Sequence, residues 1–257
     1  MEKDKIDVWQ ERNYFVVKQN PLIRQVRFNL STSEQKLVLY LISKIQPTDT
    51  ELKPVQLTVS DYMRICGLNT SSGNNRAQIR ADLKSLADRS CWITLPDGRE
   101  TLFRWIEDPI IEPKSRVIEL RLKQILKPYL LELHEYYTQY RLVYVLPMKS
   151  KYAIRLYELL KSCQSMPQPV IFSPDKLREI MAIPEDTYTC WSDFRRYVLD
   201  VARREINKYT DILMEYKVKT EKRRVKQVEF TVTAKPKSDL TATFDTLRTA
   251  LDHAQEV

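Results

Sequence analysis

The sequence predicts an α+β fold of two tandem units, each made of three helices followed by a β-hairpin, and three observations carry that prediction. The order helix, helix, helix, hairpin can be read twice along 257 residues. An amphipathic helix beginning at Trp191 is followed by two strands of period 2, LMEYKVK (213–219) and QVEFTVT (227–233). Charge is concentrated there, since residues 190–237 hold thirteen Lys and Arg against seven Asp and Glu, which is +6 of the chain's formal +8. The length suffices for two cores of ordinary size, and units of 1–135 and 136–257 are expected.

In the first unit, STSE (31–34) is a capping box in which the Ser31 hydroxyl and the Glu34 carboxylate satisfy orphan amides at a helix start. The helix continues through KLVLYLISKI to Pro47. An extended piece, VQLTV, leads to a second helix opened by Ser60 and Asp61 and terminated at Gly67. After the polar turn TSSGNN, a third helix spans about Asn75 to Arg89 with Ile79, Leu83 and Leu86 as its apolar stripe. Arg76, Arg80 and Lys84 recur every four residues along its edge, beside the small Ala77 and Ala81. The segment WITLPDGRETLFRW reads as two strands around a Pro-Asp-Gly turn, and RVIELRL as a further alternating strand. A helix in LKPYLLELHEYYTQY, ending near Glu135, is expected to join the halves.

The second unit repeats this order without obvious sequence identity. It offers a strand RLVYVLP, a helix KSKYAIRLYELLKSC, a strand VIF, and a helix opened by Ser173 and Pro174 that runs to about Ala182. In the helix from Trp191, a spacing of 100° per residue turns Phe194, Tyr197, Val198, Val201 and Tyr209 inward. It gathers Ser192, Arg196, Arg203 and Asn207 on a narrow outer arc shared with Asp200. Arginine forks onto guanine and asparagine pairs with adenine, so this arc has the chemistry to read base edges; a solvated helix face is the competing reading.

The hairpin shifts the balance, because its tip TEKRRVK crowds Lys222, Arg223, Arg224 and Lys226, which repel one another unless a polyanion neutralises them. A reading helix followed by a basic hairpin is the winged-helix plan. Two tandem winged-helix domains are therefore expected, three-helix cores each with a β-hairpin wing, acting on double-stranded DNA. The tail from Ser238 reads as one more helix with Phe244, Leu247 and Leu251 on one side, and the sequence assigns it no role.

Other classes are disfavoured. An apolar content of 43% with 30% charged residues is that of a soluble globular protein. No apolar run has membrane-spanning length and MEKDKIDVWQ lacks the core of a signal peptide, so a cytoplasmic protein without a membrane partner is expected. Cys66, Cys91, Cys163 and Cys190 are far apart, with no CxxC pair or matching His, and are read as reduced, mostly buried thiols. His134 and His253 form no His-x-His pair for a metal-dependent tyrosine nuclease, and Tyr136, Tyr137 and Tyr140 are expected to pack at the domain junction. Gly67, Gly73 and Gly98 are isolated and no GxxxxGK[ST] loop exists. The chain is read as a non-enzyme with no catalytic residue, metal or cofactor. Any opening of a duplex would draw on the binding energy of several protomers.

The segment VVKQNPLIRQVRFNLSTSEQKLVLYLISKI (16–45) resembles the opening signature of the iteron-binding plasmid replication initiators, with Asn20, Leu22, Leu30, Glu34 and Lys36 at matching positions. KYAIRLYELL, SPDKLREIMAI and WSDFRRYVLDVARREINKYTD resemble helices of that family's second winged helix, so the likeness spans roughly residues 14–233. The resemblance implies binding to repeated origin sites, help in opening the origin, and recruitment of the host initiator and replicative helicase. It places Arg195, Arg196, Arg203 and Arg204 in the main base-reading helix. Arg76, Arg80 and Lys84 fall in the corresponding helix of the first domain, where phosphate contacts are expected. It also implies homodimers, formed through the first domain away from repeats, that repress their own gene. Trp92, Phe103 and Trp105 are candidate apolar contacts for that dimer, with ordinary core as the competing reading.

A winged-helix transcriptional repressor without a replication role is the alternative, and an architectural DNA-bending protein a third class. Tandem, dissimilar modules favour the initiator, since one chain can then grip a long asymmetric repeat with two helices about one turn apart.

Overall fold

The computed structural model describes residues 6–46, 48–95, 97–112, 117–131, 133 and 135–252. His134 and His253 lie outside these residues, as do Pro47, Pro96 and Arg116 of the expected elements. The chain opens with α1 (Val8–Asn13), β1 (Phe15–Gln19) and α2 (Asn20–Arg24). A winged-helix order follows: α3 (Thr32–Ser43), β2 (Val55–Thr58), α4 (Val59–Ile65), α5 (Gly73–Asp88), the hairpin β3 (Cys91–Thr94) with β4 (Glu100–Phe103), then β5 (Ile110–Ile111) and β6 (Val117–Leu120). After α6 (Lys127–Leu130) and β7 (Tyr137–Arg141), the order returns as α7 (Lys151–Ser162), β8 (Val170–Phe172), α8 (Pro174–Ile180), α9 (Trp191–Phe194), α10 (Asp200–Tyr209), β9 (Ile212–Glu221) and β10 (Arg224–Ala234). The last helix is α11 (Lys237–Asp252).

Local chemistry accounts for most boundaries. The capping box at α3 forms in both directions, the Glu34 amide donating to Ser31 Oγ (3.1 Å) and the Ser31 amide to Glu34 Oε2 (2.6 Å). α4 starts earlier than expected because Thr58, not Ser60, is its N-cap, accepting from the Asp61 amide (3.0 Å). Gly67 follows α4 with φ +67°, the left-handed conformation that ends helices. Ser72, Ser150 and Ser173 cap α5, α7 and α8.

The two units share a sheet plan. In each, the strand before the second helix pairs antiparallel with the last wing strand, giving the orders β2-β6-β5 and β8-β10-β9. The β3–β4 hairpin is an addition peculiar to the first unit.

Two expectations around the junction are corrected. The joining helix is a single turn, α6, preceded by a 3-10 turn, because Leu131 turns extended and Tyr137–Arg141 becomes β7, which pairs antiparallel with β1. Thr138 and Tyr140 point inward, Tyr140 packing on Tyr157 of α7 (5.1 Å) as expected at the junction, while Tyr137 and Gln139 point out and Tyr136 is 79% exposed. RLVYVLP contributes only Arg141 to a strand, as the end of β7: residues 142–146 are all buried and 142–144 form a 3-10 turn, so no alternation of faces is present. The β1–β7 pair joins residues on either side of the expected division at 135.

The helix α7 is the shared spine, buried around almost its whole circumference between α2 and α3 on one side and α10 on the other. Its two charged core residues meet polar groups from both units. Glu158 pairs with Lys18 of β1 and accepts from the Tyr140 hydroxyl (2.5 Å). Arg155 donates to the carbonyls of Ile23 and Val26 from one side and Ile180 from the other, each at 3.2 Å, with its guanidinium 4.1 Å from the Phe28 ring centre. Burial lowers the Lys18 ammonium below the usual lysine range and the Arg155 guanidinium to about 10.

The helix α11 runs back from the second wing to the first unit. Leu247 and Leu251 are core, and Phe244 lies 6.0 Å from Tyr144. At its end, buried Arg12 of α1 donates to the Arg64 and Ile65 carbonyls (2.7 and 2.9 Å) and to Asp252 (2.7 Å). A Cβ at Gly67 would lie 2.8 Å from the Leu251 carbonyl oxygen, so the approach of α11 requires glycine there.

Removing one partner of a buried pair strands the other charge, whereas replacing both is far milder. Glu158→Leu is expected to lose about 3–5 kcal/mol of stability, and adding Lys18→Met to recover part of it. Urea unfolding decides this; strictly additive losses would show that the pair is not coupled.

Candidate nucleic-acid interface

The helix from Trp191 to Tyr209 does not keep one pitch. Between α9 and α10, residues Arg195–Leu199 form a π turn, in which the Asp200 amide donates to the Arg195 carbonyl five residues back. Such a turn inserts one residue relative to α-helical spacing and delays every later side chain by about one position. The core face accordingly runs Phe194, Val198, Leu199, Ala202, Ile206. This corrects the inward set expected from uniform spacing: Tyr197 is 45% exposed and stacks on Tyr188 (5.6 Å, 22°), while Val201 and Tyr209 are only partly covered.

The outer arc shifts with it. Arg204 and Lys208 are exposed and take the places that uninterrupted geometry gives to Arg203 and Asn207. Those two turn sideways and become half-buried against the wing. The Asn207 amide donates to the Met214 carbonyl (3.0 Å) and accepts from the Met214 amide (2.7 Å), so the edge expected to pair with adenine is committed to the backbone of β9. Arg203 pairs with Glu215 (3.2 Å) and lies 5.8 Å from the Tyr216 ring centre. Tyr216 in turn donates to Asp200 (2.6 Å), and its hydroxyl is pushed up to about 12, chiefly by burial and then by that carboxylate. Residue by residue, the first half of β9 is stitched to α10.

Ser192, Arg195 and Arg196 lie exposed at the start of this helix, Arg195 3.6 Å from Asp200 and Arg196 5.4 Å from the Tyr197 ring centre. Lys208, which the sequence reading omits, is found by following Arg204 one turn further.

The wing is longer than expected. β9 and β10 extend to Glu221 and Arg224, so the tip is the two residues Lys222 and Arg223, with φ of +47° and +67°. Positive φ at both central positions is the type I′ pattern that fits the strand twist, and glycine or asparagine usually supplies it. Here two long cations occupy it at a cost of roughly 1–2 kcal/mol each. Lys222, Arg223, Arg224 and Lys226 are all exposed, Lys226 at a register shift between Val225 and Gln227 and 3.9 Å from Glu221.

In the first unit, α5 buries Ile79, Leu83 and Leu86 and exposes Arg76, Arg80 and Lys84. Arg76 donates to the Thr70 carbonyl (2.5 Å), tying the preceding turn to the helix. On the β3–β4 hairpin, Trp92 and its cross-strand partner Leu102 are exposed at 59% and 53%, whereas Phe103 and Trp105 are core, packed edge-on at 5.2 Å. Cys66 and Cys163 are buried, Cys91 is partly covered and Cys190 is exposed. Among the described residues no cluster suits a metal ion, and no helix is long and apolar enough to cross a membrane.

Because Asn207 holds both polar groups of the buried Met214 backbone, Asn207→Ala is expected to cost about 1–3 kcal/mol of stability with base preference unchanged. Thermal unfolding beside competition binding to single-base duplex variants tests this. Lost discrimination at one base with unchanged stability would restore Asn207 as a base reader.

The comparisons agree with this architecture. Residues 15–161 match the model of the Initiator Replication protein, WH1, and residues 173–232 that of the Initiator Rep protein, WH2; the first match runs past residue 135 through β7 and nearly all of α7. The crystal structure of Pi initiator protein in complex with iteron DNA is similar over 87% of this chain and 98% of that one, at 19% identity and a TM-score of 0.70. Domains 2 and 3 of RctB are a looser neighbour, 13% identical over 79% of this chain and 83% of the other, with a TM-score of 0.46. With its two winged-helix units in tandem, the chain belongs to the initiator replication protein family.

Proposed function

We propose that this protein is a plasmid replication initiator that binds repeated sites in duplex DNA at the origin. The observation that carries this is the joined unit of helix and wing: Arg196, Arg204 and Lys208 are exposed on the helix, Lys222, Arg223 and Arg224 are exposed at the tip of the wing, and the first half of β9 is bonded to α10. A helix of this kind fits the major groove while a basic hairpin meets the backbone beside it. Membership of the initiator family and the similarity to Pi initiator protein, whose structure contains iteron DNA, support the same reading.

Side-chain placement supports a division of roles within the surface. Ser192, Arg195, Arg196, Arg204 and Lys208 form the proposed base-reading set, and Arg203 and Asn207 hold the wing at its angle. Lys222, Arg223, Arg224 and Lys226 are proposed phosphate contacts, as are Arg76, Arg80 and Lys84 of α5. Recruitment of the host initiator and helicase, and repression of its own gene, are proposed on the family resemblance. The first unit is proposed to dimerise through the apolar Trp92–Leu102 pair on a hairpin that, among the described residues, pairs with no third strand.

Footprinting on the DNA flanking its own gene tests the function, with tandem protected repeats expected and one inverted promoter site favouring a pure repressor. Arg204→Ala is expected to cost about 1–3 kcal/mol on the repeat and to relax preference at one base, whereas Arg224→Ala weakens all duplexes alike. A uniform loss for Arg204→Ala, measured by competition with single-base variants, would remove it from the reading set. In sedimentation without DNA, Trp92→Asp is expected to be monomeric where the parent dimerises; an unchanged dimer would place the interface elsewhere.

A further inference from the structure

The reading helix has two flanks, and the wing covers only one. On α10, Ala202 and Ile206 face the core, Arg203 and Asn207 reach β9, and Arg204 and Lys208 point away from the body. Glu205 lies on the flank opposite Arg203 and Asn207. Its carboxylate accepts from the backbone amides of Lys149 (3.1 Å) and Ser150 (3.2 Å), which fixes the loop ahead of α7 against the side of the reading helix. From the first unit, Thr32 Oγ1 donates to the Lys149 carbonyl (3.0 Å) and Gln35 Nε2 to the Lys151 carbonyl (3.2 Å). The loop is therefore held from both sides, with its backbone groups occupied and the Lys149 side chain exposed.

Cations gather there. Lys36 of α3 is partly covered beside Lys149 and Glu205, and Lys151, close to Arg89, donates to Asn29 Oδ1 (2.7 Å). Burial is the main reason that Lys36 and Lys151 sit below the usual lysine range. The acidic neighbours are committed: Glu205 to the loop amides, and Glu34 to the Ser31 amide with Arg89 3.5 Å away.

A helix seated in a major groove about 12 Å wide has a phosphate backbone along each side. We propose that the Lys149 loop is a second phosphate-binding flank, gripping duplex DNA on the side of the groove opposite the wing. The assignment rests on the DNA-binding reading above and adds a site to it. Glu205 then acts as a positioning residue, holding the loop at a fixed offset from Arg204.

The test is binding of the full chain to a fluorescein-labelled random-sequence duplex across a salt series, since each neutralised phosphate contributes about 0.9 to the log-log slope. Lys149→Gln is expected to reduce the slope by about 1 and to weaken binding roughly fivefold to tenfold at low salt. Lys149→Glu should weaken it further, and Lys149→Arg should hold the parental slope. Lys149 is exposed, so all three should keep the parental melting temperature. Arg224→Ala serves as the control for the wing. A parental slope in Lys149→Gln, with a reduced slope in Arg224→Ala, overturns the second flank and leaves the DNA reading intact. A flat salt response of the parent overturns both.

Discussion

The turn at Arg195–Leu199 is the constraint on which the rest of the interface depends. One residue inserted into the helix decides that Arg203 and Asn207 face the wing, that Glu205 faces the loop before α7, and that Arg204 and Lys208 face outward. Without it, Ala202 and Ile206 would rotate out of the core, and the backbone of Met214 would lose its partner. The helix and wing are thus joined into one element whose polar residues are divided between holding it together and facing solvent. The tip shows the same division, because Lys222 and Arg223 sit in strained left-handed conformations that glycine would adopt more easily.

The two units are joined through chemistry that disfavours their separation. Exposing α7 would uncover Arg155 and Glu158 together with the apolar residues of an almost wholly buried helix, while α11 and Arg12 tie the end of the chain to its beginning. The exposed basic faces of α5 and of α10 with its wing are built on one such joint; if both meet DNA as proposed, that arrangement suits one long asymmetric repeat better than two independent half-sites.

Local signals made much of this fold legible in the sequence. The capping box at Ser31, the stripe Ile79–Leu83–Leu86, the Ser-Pro start of α8 and the alternation in β9 and β10 are each decided within a few residues, and each appears in the structure. The errors arise where distant partners decide. β7 is a strand because β1 lies beside it, and Asn207 has an amide-sized target because β9 returns to α10. The slipped helix did leave a trace. Phe194, Val198, Ala202 and Ile206 recur every four residues, longer than the 3.6 of a regular helix, and that spacing marks an overlong turn.

The most direct measurement is a crystal structure of the full chain on a duplex carrying its own repeat. The expected result is Arg204 and Lys208 in the major groove, with Arg203 still on Glu215 and Asn207 still on Met214. A regular α-helix through residues 195–199 that presents Asn207 to a base would contradict the shifted reading face.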